Sequence, residues 1–294
     1  MASRRTIAVV AIAKDEDPYL LEWLGYHLAI GVDHIVLYDN GSRVPIASQI
    51  STLGAWGAVT VRRWKDVPGK DSQLEAYAHY LRTYRRRFEW TAAIDLDEFI
   101  CLPRHATIQD FLAGFDHANG IVINWRYFGS SGQTHYEKRR LTERFTRAAR
   151  LHSGINTGVK AIYRTAEIER LIHHWSPLLT PRRVCSADGT PVPPETHTVL
   201  PISESNFACA QINHYFVKSR EEWDRKVRRG YSWVEEDRSL DRFKLCDTND
   251  VEDTAILRLG PGIDRWVARL ERPAASVPKM LDRIAGVVPA RWRA

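Results

Sequence analysis

The chain has 294 residues, 44% hydrophobic and 27% charged, proportions that suit a globular protein with a full core and argue against disorder. It has no run of about 18 apolar residues, which argues against a membrane-spanning helix, and its four cysteines (Cys101, Cys185, Cys209, Cys246) lie too far apart to suggest a zinc or disulfide framework. The net charge of +6 is dispersed in short clusters without interleaved aromatics, so it favours a phosphorylated small molecule over nucleic acid.

Ile7–Ala13 follows Arg4-Arg5 as an apolar run, but Lys14-Asp15-Glu16-Asp17 comes at once with no small-residue cleavage site. This reads as a first strand buried on both faces, in a protein expected to stay in the cytoplasm. Asp17-Pro18 opens a helix whose apolar residues recur from Leu20 until Gly31 stops it. His34–Tyr38 is a second strand ending in the turn signal Asp39-Asn40-Gly41-Ser42, and Val59–Trp64 a third. Ser72–Phe88 reads as a helix with Leu74, Tyr77, Ala78 and Leu81 on one face, before a fourth strand, Trp90–Ile94.

Strand–helix alternation of this kind predicts an α/β fold: an open, mostly parallel sheet with flanking helices and a Rossmann-like half. Beyond residue 120 the pattern becomes mixed, with strands at Ile121–Tyr127 and around Val159–Tyr163, and helices after Ser219. Ligands of open α/β sheets sit beyond the carboxyl ends of the strands. Polar residues cluster there: Lys14 and Glu16 after the first strand, Asp39 after the second, Asp95 and Asp97 after the fourth.

Asp95-Leu96-Asp97 is the centre of the functional reading. Alternate residues of an extended segment point the same way, so both carboxylates can face one ligand. Two carboxylates at the end of a buried strand repel unless a cation lies between them, and Mn²⁺ or Mg²⁺ bridging to diphosphate oxygens would satisfy both.

The ordered set Lys14-Asp15-Glu16, Glu22-Trp23, Tyr26-His27, Tyr38-Asp39-Asn40, Asp95–Phe99, Trp125–Gly132, Val159-Lys160, His173-His174 and Asn213–Phe216 resembles glycosyltransferase family 92 and its bacterial relatives in the family 2 superfamily. The likeness runs over roughly residues 7 to 260. It implies a GT-A fold, a catalytic domain over 1–260, a helical extension over 261–294, a nucleotide-sugar donor (a UDP-sugar is favoured), a divalent metal and inversion at the anomeric carbon. By position it implies that Asp95 and Asp97 serve the metal and donor phosphates, with Asp39 on the ribose or base. Lys14 and Glu16 would line the same pocket, and Lys160 and Lys218 would add positive charge beside the leaving diphosphate.

His214 is the expected third metal ligand, with a half-buried structural histidine as the competing reading. His174 is expected at the acceptor side, with His173-His174 as an alternative source of that ligand. Phe128–Gly132 is the expected acceptor loop, with Ser130 and Ser131 as contacts and Trp125 and Phe128 as stacking faces for a carbohydrate or glycolipid acceptor. An inverting transfer needs a general base, and Asp188, Glu195 and Glu204 are the candidates the irregular middle segment offers. Glu98 should point away from Asp97 and reads as structural.

Two other readings use the same residues. A sugar nucleotidyltransferase would want a Gly-rich phosphate loop after the first strand, where this chain is acidic and glycine-free. A non-catalytic carbohydrate-binding relative would have lost the acidic pair, which is present. In the C-terminal segment, Asp264–Leu270 and Lys279–Val288 are amphipathic and basic. They predict either contact with a membrane surface or packing of two helices on the catalytic domain.

Overall fold

The computed structural model describes residues 6–50, 57–174, 176–180, 183–193, 200–230 and 240–270. Its organising element is a nine-stranded sheet. The strands are β1 (Ile7–Ala13), β2 (His34–Asp39), β3 (Val59–Arg63), β4 (Trp90–Ala93), β5 (Glu98–Cys101), β6 (Gly120–Tyr127), β8 (Val159–Arg164), β9 (Val184–Ser186) and β10 (Gln211–His214). A separate pair is formed by β7 (Arg147–Ala148) and β11 (Val251–Glu252). The main helices are α1 (Asp17–Ala29), α2 (Ser72–Tyr84), α3 (Arg220–Arg229), α4 (Leu240–Cys246) and α5 (Gly260–Leu270).

The sheet order is β3-β2-β1-β4-β8-β6-β10-β5, with β9 beside β6. From β3 to β4 all pairs are parallel, and this is the half that the strand–helix alternation predicts. Beyond it β8 lies antiparallel between β4 and β6, β10 runs parallel to β6, and β5 closes the edge antiparallel to β10. The α/β class therefore holds, and the sheet is parallel in its first half and mixed in its second.

Local chemistry explains the elements that frame the site. Pro18 fits the first turn of α1, where its missing N–H costs no hydrogen bond. After α1 Gly31 adopts φ 97°, and the Val32 N–H closes back on His27 O, ending the helix where the sequence indicates. Asp71 caps α2 by accepting from the N–H groups of Gln73 and Leu74. That helix ends at Tyr84 rather than Phe88, and its buried face is Ala76, Tyr77, Tyr80, Leu81 and Tyr84. Leu74, expected on that face, is exposed.

α5 lies across α1, burying Ile263 and Leu270 with Trp266 and Val267 partly covered. A side chain on Gly25 would meet Val267 Cγ2 at 3.1 Å, so the two helices approach closely. Ile263 and Leu270 of this helix are thus used within the protein, as the packing alternative expects. The segment Lys279–Val288 lies outside the described residues. No helix among the described residues is long and apolar enough to cross a membrane.

Candidate active site

The carboxyl ends of β1, β2 and β4 open into a cleft of about 500 Å³. Lys14 and Glu16 come from the loop after β1, Asn40 from the end of β2, and Gln73 from the first turn of α2. Asp95, Leu96 and Asp97 form the turn between β4 and β5. The far wall is Trp125, Tyr127, Lys160, His173, His174, His214 and Phe216, with Lys226 and Arg229 reaching over from α3.

The acidic segment is a turn and not the extended strand expected of it. The Glu98 N–H donates to Asp95 O, and the Trp23 indole N–H of α1 donates to Glu98 O at 2.8 Å and Asp95 O at 3.1 Å. Tyr215 N–H donates to Asp97 O from the end of β10. The turn sends the two carboxylates to different partners.

Asp95 accepts from Lys160 Nζ at 2.9 Å and from Gln73 Nε2 at 3.2 Å. Burial alone would raise its pKa, but the Lys160 ammonium outweighs that and lowers it. Lys160 is itself 1% exposed and also meets Glu98 Oε2 at 3.2 Å and His173 O at 2.8 Å. Glu98 is fully buried, accepting from the Asp95 N–H and from Trp125 Nε1 at 2.9 Å, and burial pushes its pKa up to about 8. It holds the turn, the β6 indole and the β8 lysine together, matching its structural reading. Trp125 in turn seats against Gly158, where any Cβ would stand 2.1 Å from the indole.

Asp97 meets Lys226 Nζ at 2.9 Å through Oδ2, with Lys218 Nζ at 3.8 Å. Burial opposes ionisation, yet these two ammonium groups pull Asp97 well below the usual carboxylate range. Its Oδ1 faces His214 Nε2 at 3.8 Å, too far for a hydrogen bond. Burial pulls the His214 pKa down to about 3, so the imidazole is neutral at pH 7, packed against Trp125 and Tyr127.

Among the described residues no group of three His, Cys, Asp or Glu side chains is arranged to hold a metal, so the expected triad of Asp95, Asp97 and His214 is not formed. Asp95 is committed to Lys160 and Gln73. Asp97 and His214 fit a small divalent cation as a pair. One is a firmly ionised carboxylate and the other a neutral imidazole, the states that metal ligation needs. Their facing atoms are separated by a gap that two bonds of about 2.1 Å can span. Such ions are commonly held by one or two side chains plus substrate phosphates, without an all-protein cage.

Other expected site residues fall elsewhere. Asp39 spends both oxygens on its own loop, accepting from Ser42 N–H at 2.9 Å and Ile46 N–H at 3.0 Å; the neighbouring Asn40 lines the cleft instead. Phe128 is in the core. Ser130 is tied to Asp247 through its N–H and hydroxyl, and the Ser131 N–H donates to Asn249 Oδ1 at 2.7 Å. The expected acceptor loop is therefore a structural clasp on residues 247–249, and only Trp125 and His174 of that set face the cleft.

Lys218 does not line this cleft but stands 3.8 Å from Asp97 Oδ2, and Lys226, which does line it, is nearer at 2.9 Å. Asp188 accepts from Ser186, Ser205 and Thr190, which overcome burial and pull its pKa to about 2. Glu204 is exposed beside His152. Neither lines the cleft, so neither is placed to act as a base, and Glu195 lies outside the described residues. The cleft residues missed were Gln73, Lys226, Arg229 and Arg242, the last from α4. For Lys226 a signal existed: it lies three residues after Trp223, on the buried face of α3.

Fold and cleft define an α/β protein whose polar site lies at the carboxyl ends of its parallel strands. Residues 9–251 match glycosyltransferase family 92, and the chain belongs to that family. A family 92 protein of Oryza sativa subsp. japonica is 30% identical over 145 residues, covering 48% of this chain and 24% of its own length. One from Ricinus communis is 28% identical over 174 residues, covering 58% and 31%. The galactan beta-1,4-galactosyltransferase GALS1 of Arabidopsis thaliana is 32% identical over 107 residues, covering 32% and 20%. The matches thus span less than a third of each relative's length. Among solved structures, S. aureus TarS 1-349 aligns over 98% of this chain and 77% of its own, with 14% identity and a TM-score of 0.38.

Proposed function

We propose that the protein transfers a hexose from a UDP-sugar to a carbohydrate or glycolipid acceptor, with inversion and with the help of a divalent cation. Family membership supports the reaction class. The observation that carries the assignment of roles is the facing pair of Asp97 Oδ1 and neutral His214 Nε2 in the cleft, with the Lys226 ammonium at the other oxygen of the same carboxylate.

In this reading Asp97 and His214 hold the cation, Mn²⁺ or Mg²⁺. When bound, the cation supplies Lewis-acid stabilisation of the departing diphosphate. Lys226, Lys14 and Arg229 line the cleft beside it and add fixed positive charge where that leaving group becomes more negative. Asp95, held in place by Lys160 and Gln73, offers its remaining acceptor capacity to donor hydroxyls. Trp125 and His174, in edge contact at 5.3 Å, give the acceptor sugar an aromatic wall.

The test is a donor screen: the purified protein with Mn²⁺ and a panel of nucleotide sugars, scored for nucleoside diphosphate release. A UDP-hexose should release UDP well above background, and Asp97→Asn should abolish the release. Silence across the panel, together with pyrophosphate release from UTP and a sugar 1-phosphate, would identify a nucleotidyltransferase instead.

A further inference from the structure

A second cleft of about 650 Å³ adjoins the first and shares Lys14, Glu16, Lys226 and Arg229 with it as a common wall. Seven basic and four acidic side chains line it. Three of the acids are already engaged: Asp15 by Arg43, Glu16 by Arg229, and Glu222 by Arg144. Among the described residues no carboxylate lies within hydrogen-bond distance of Lys14, Lys218 or Arg228.

Lys218 is the most informative of these. Its side chain is 5% exposed, and its backbone is left-handed at φ 57°, a conformation that non-glycine residues adopt at a cost and that concentrates at functional sites. The ammonium sits 4.6 Å from the Tyr19 ring centroid, and its nearest carboxylate, Asp97, is 3.8 Å away, outside hydrogen-bond range. Among the described residues the ammonium has no hydrogen-bond acceptor, and an anion in the cleft would supply one. Asp15, which also lines this cleft, is left-handed at φ 51°.

We propose that this second cleft is an anion-binding subsite that takes the phosphate or carboxylate of an acidic acceptor sugar. Its position across the Lys226–Arg229 wall from the donor cleft lets an acceptor anchored there reach the site of transfer. The acceptor role rests on the glycosyl-transfer reading, whereas anion binding does not.

Calorimetric titration of the full chain at fixed ionic strength with glucose 6-phosphate, glucuronate and glucose tests the proposal, with UDP plus Mn²⁺ titrated separately. At least one acid should bind about tenfold or more tightly than glucose, since a hydrogen bond to a charged group is worth that much. The tighter acid identifies which anion the subsite takes. Lys218→Met should weaken that acid by about tenfold, and the exposed Arg228→Gln by a smaller factor while leaving UDP affinity within about twofold. Acids binding no better than glucose would overturn the proposal. So would an equal loss of UDP and acid affinity in both variants, because the second cleft would then be part of the donor site. Failure of UDP to bind the wild-type protein would count against the transfer reading alone.

Discussion

The two halves of the sheet are filled differently. Along β1, β2 and β4 the buried side chains are almost all apolar, from Ile7, Val9 and Val10 to Ile35, Val36, Leu37 and Trp90. β5, β6, β8 and β10 instead bury Glu98, Asn124, Arg126, Lys160, Asn213 and His214. The parallel half is a scaffold whose loops carry polar residues outward to the cleft. In the mixed half, functional groups point into the protein and hold one another. An apolar core tolerates a lost side chain as a local cavity, whereas a buried ionic network leaves a stranded charge when one member is removed.

That contrast can be broken by substitution. Lys160→Met should cost about 3–5 kcal/mol in denaturant unfolding, because Asp95 loses its cation and the buried Glu98 carboxyl loses its lysine partner. Adding Glu98→Gln should recover a large part of it, since the remaining carboxylate of Asp95 is 41% exposed and can be hydrated. No recovery in the double variant would mean that Lys160 acts through packing alone. Against the scaffold half, Leu24→Ala, at a fully buried position of α1, should cost about 2–4 kcal/mol. It should do so additively with Lys160→Met, as the sites share no network. Strong coupling between them would erase the distinction between the halves.

A smaller effect is read by pH. His27, fully buried in α1, hydrogen-bonds Trp23 O through Nδ1 at 2.8 Å and accepts from the Ile100 N–H at Nε2, an arrangement only the neutral ring can make. Burial pulls its pKa down to about 3. The unfolded chain takes up a proton below its ordinary pKa of about 6.5 while the folded one does not, so stability is full above that pH and falls as pH drops toward 3. Each such histidine contributes a slope of about 1.4 kcal/mol per pH unit in that window. His27→Gln should flatten the slope measured by unfolding between pH 6 and 4, and an unchanged slope would show that His27 is not its source.

Much of the scaffold half was legible in the sequence because its signals are local. The unbroken apolar run of β1, Gly31 after α1 and the polar residues at strand ends each follow from neighbours a few positions away. The mixed half was less so, because its side chains choose partners far along the chain. Nothing near Ser130 announces Asp247, and nothing near Asp95 announces that Lys160 will hold it while Lys226 takes Asp97. Asp39 is the opposite case. Its turn signal is local, and the turn engages both oxygens of the carboxylate that the family resemblance assigns to the ribose or base.

The central claim is that Asp97 and His214 hold a divalent cation between them, and the most direct measurement is the Mn²⁺ dependence of UDP release by His214→Ala. The Mn²⁺ concentration for half-maximal release should rise by about ten- to a hundredfold, as is typical when a metal site loses one of its supporting side chains, with maximal release partly restored at saturating Mn²⁺. An unchanged Mn²⁺ requirement accompanied by lower thermal stability would contradict the account and make His214 a core histidine.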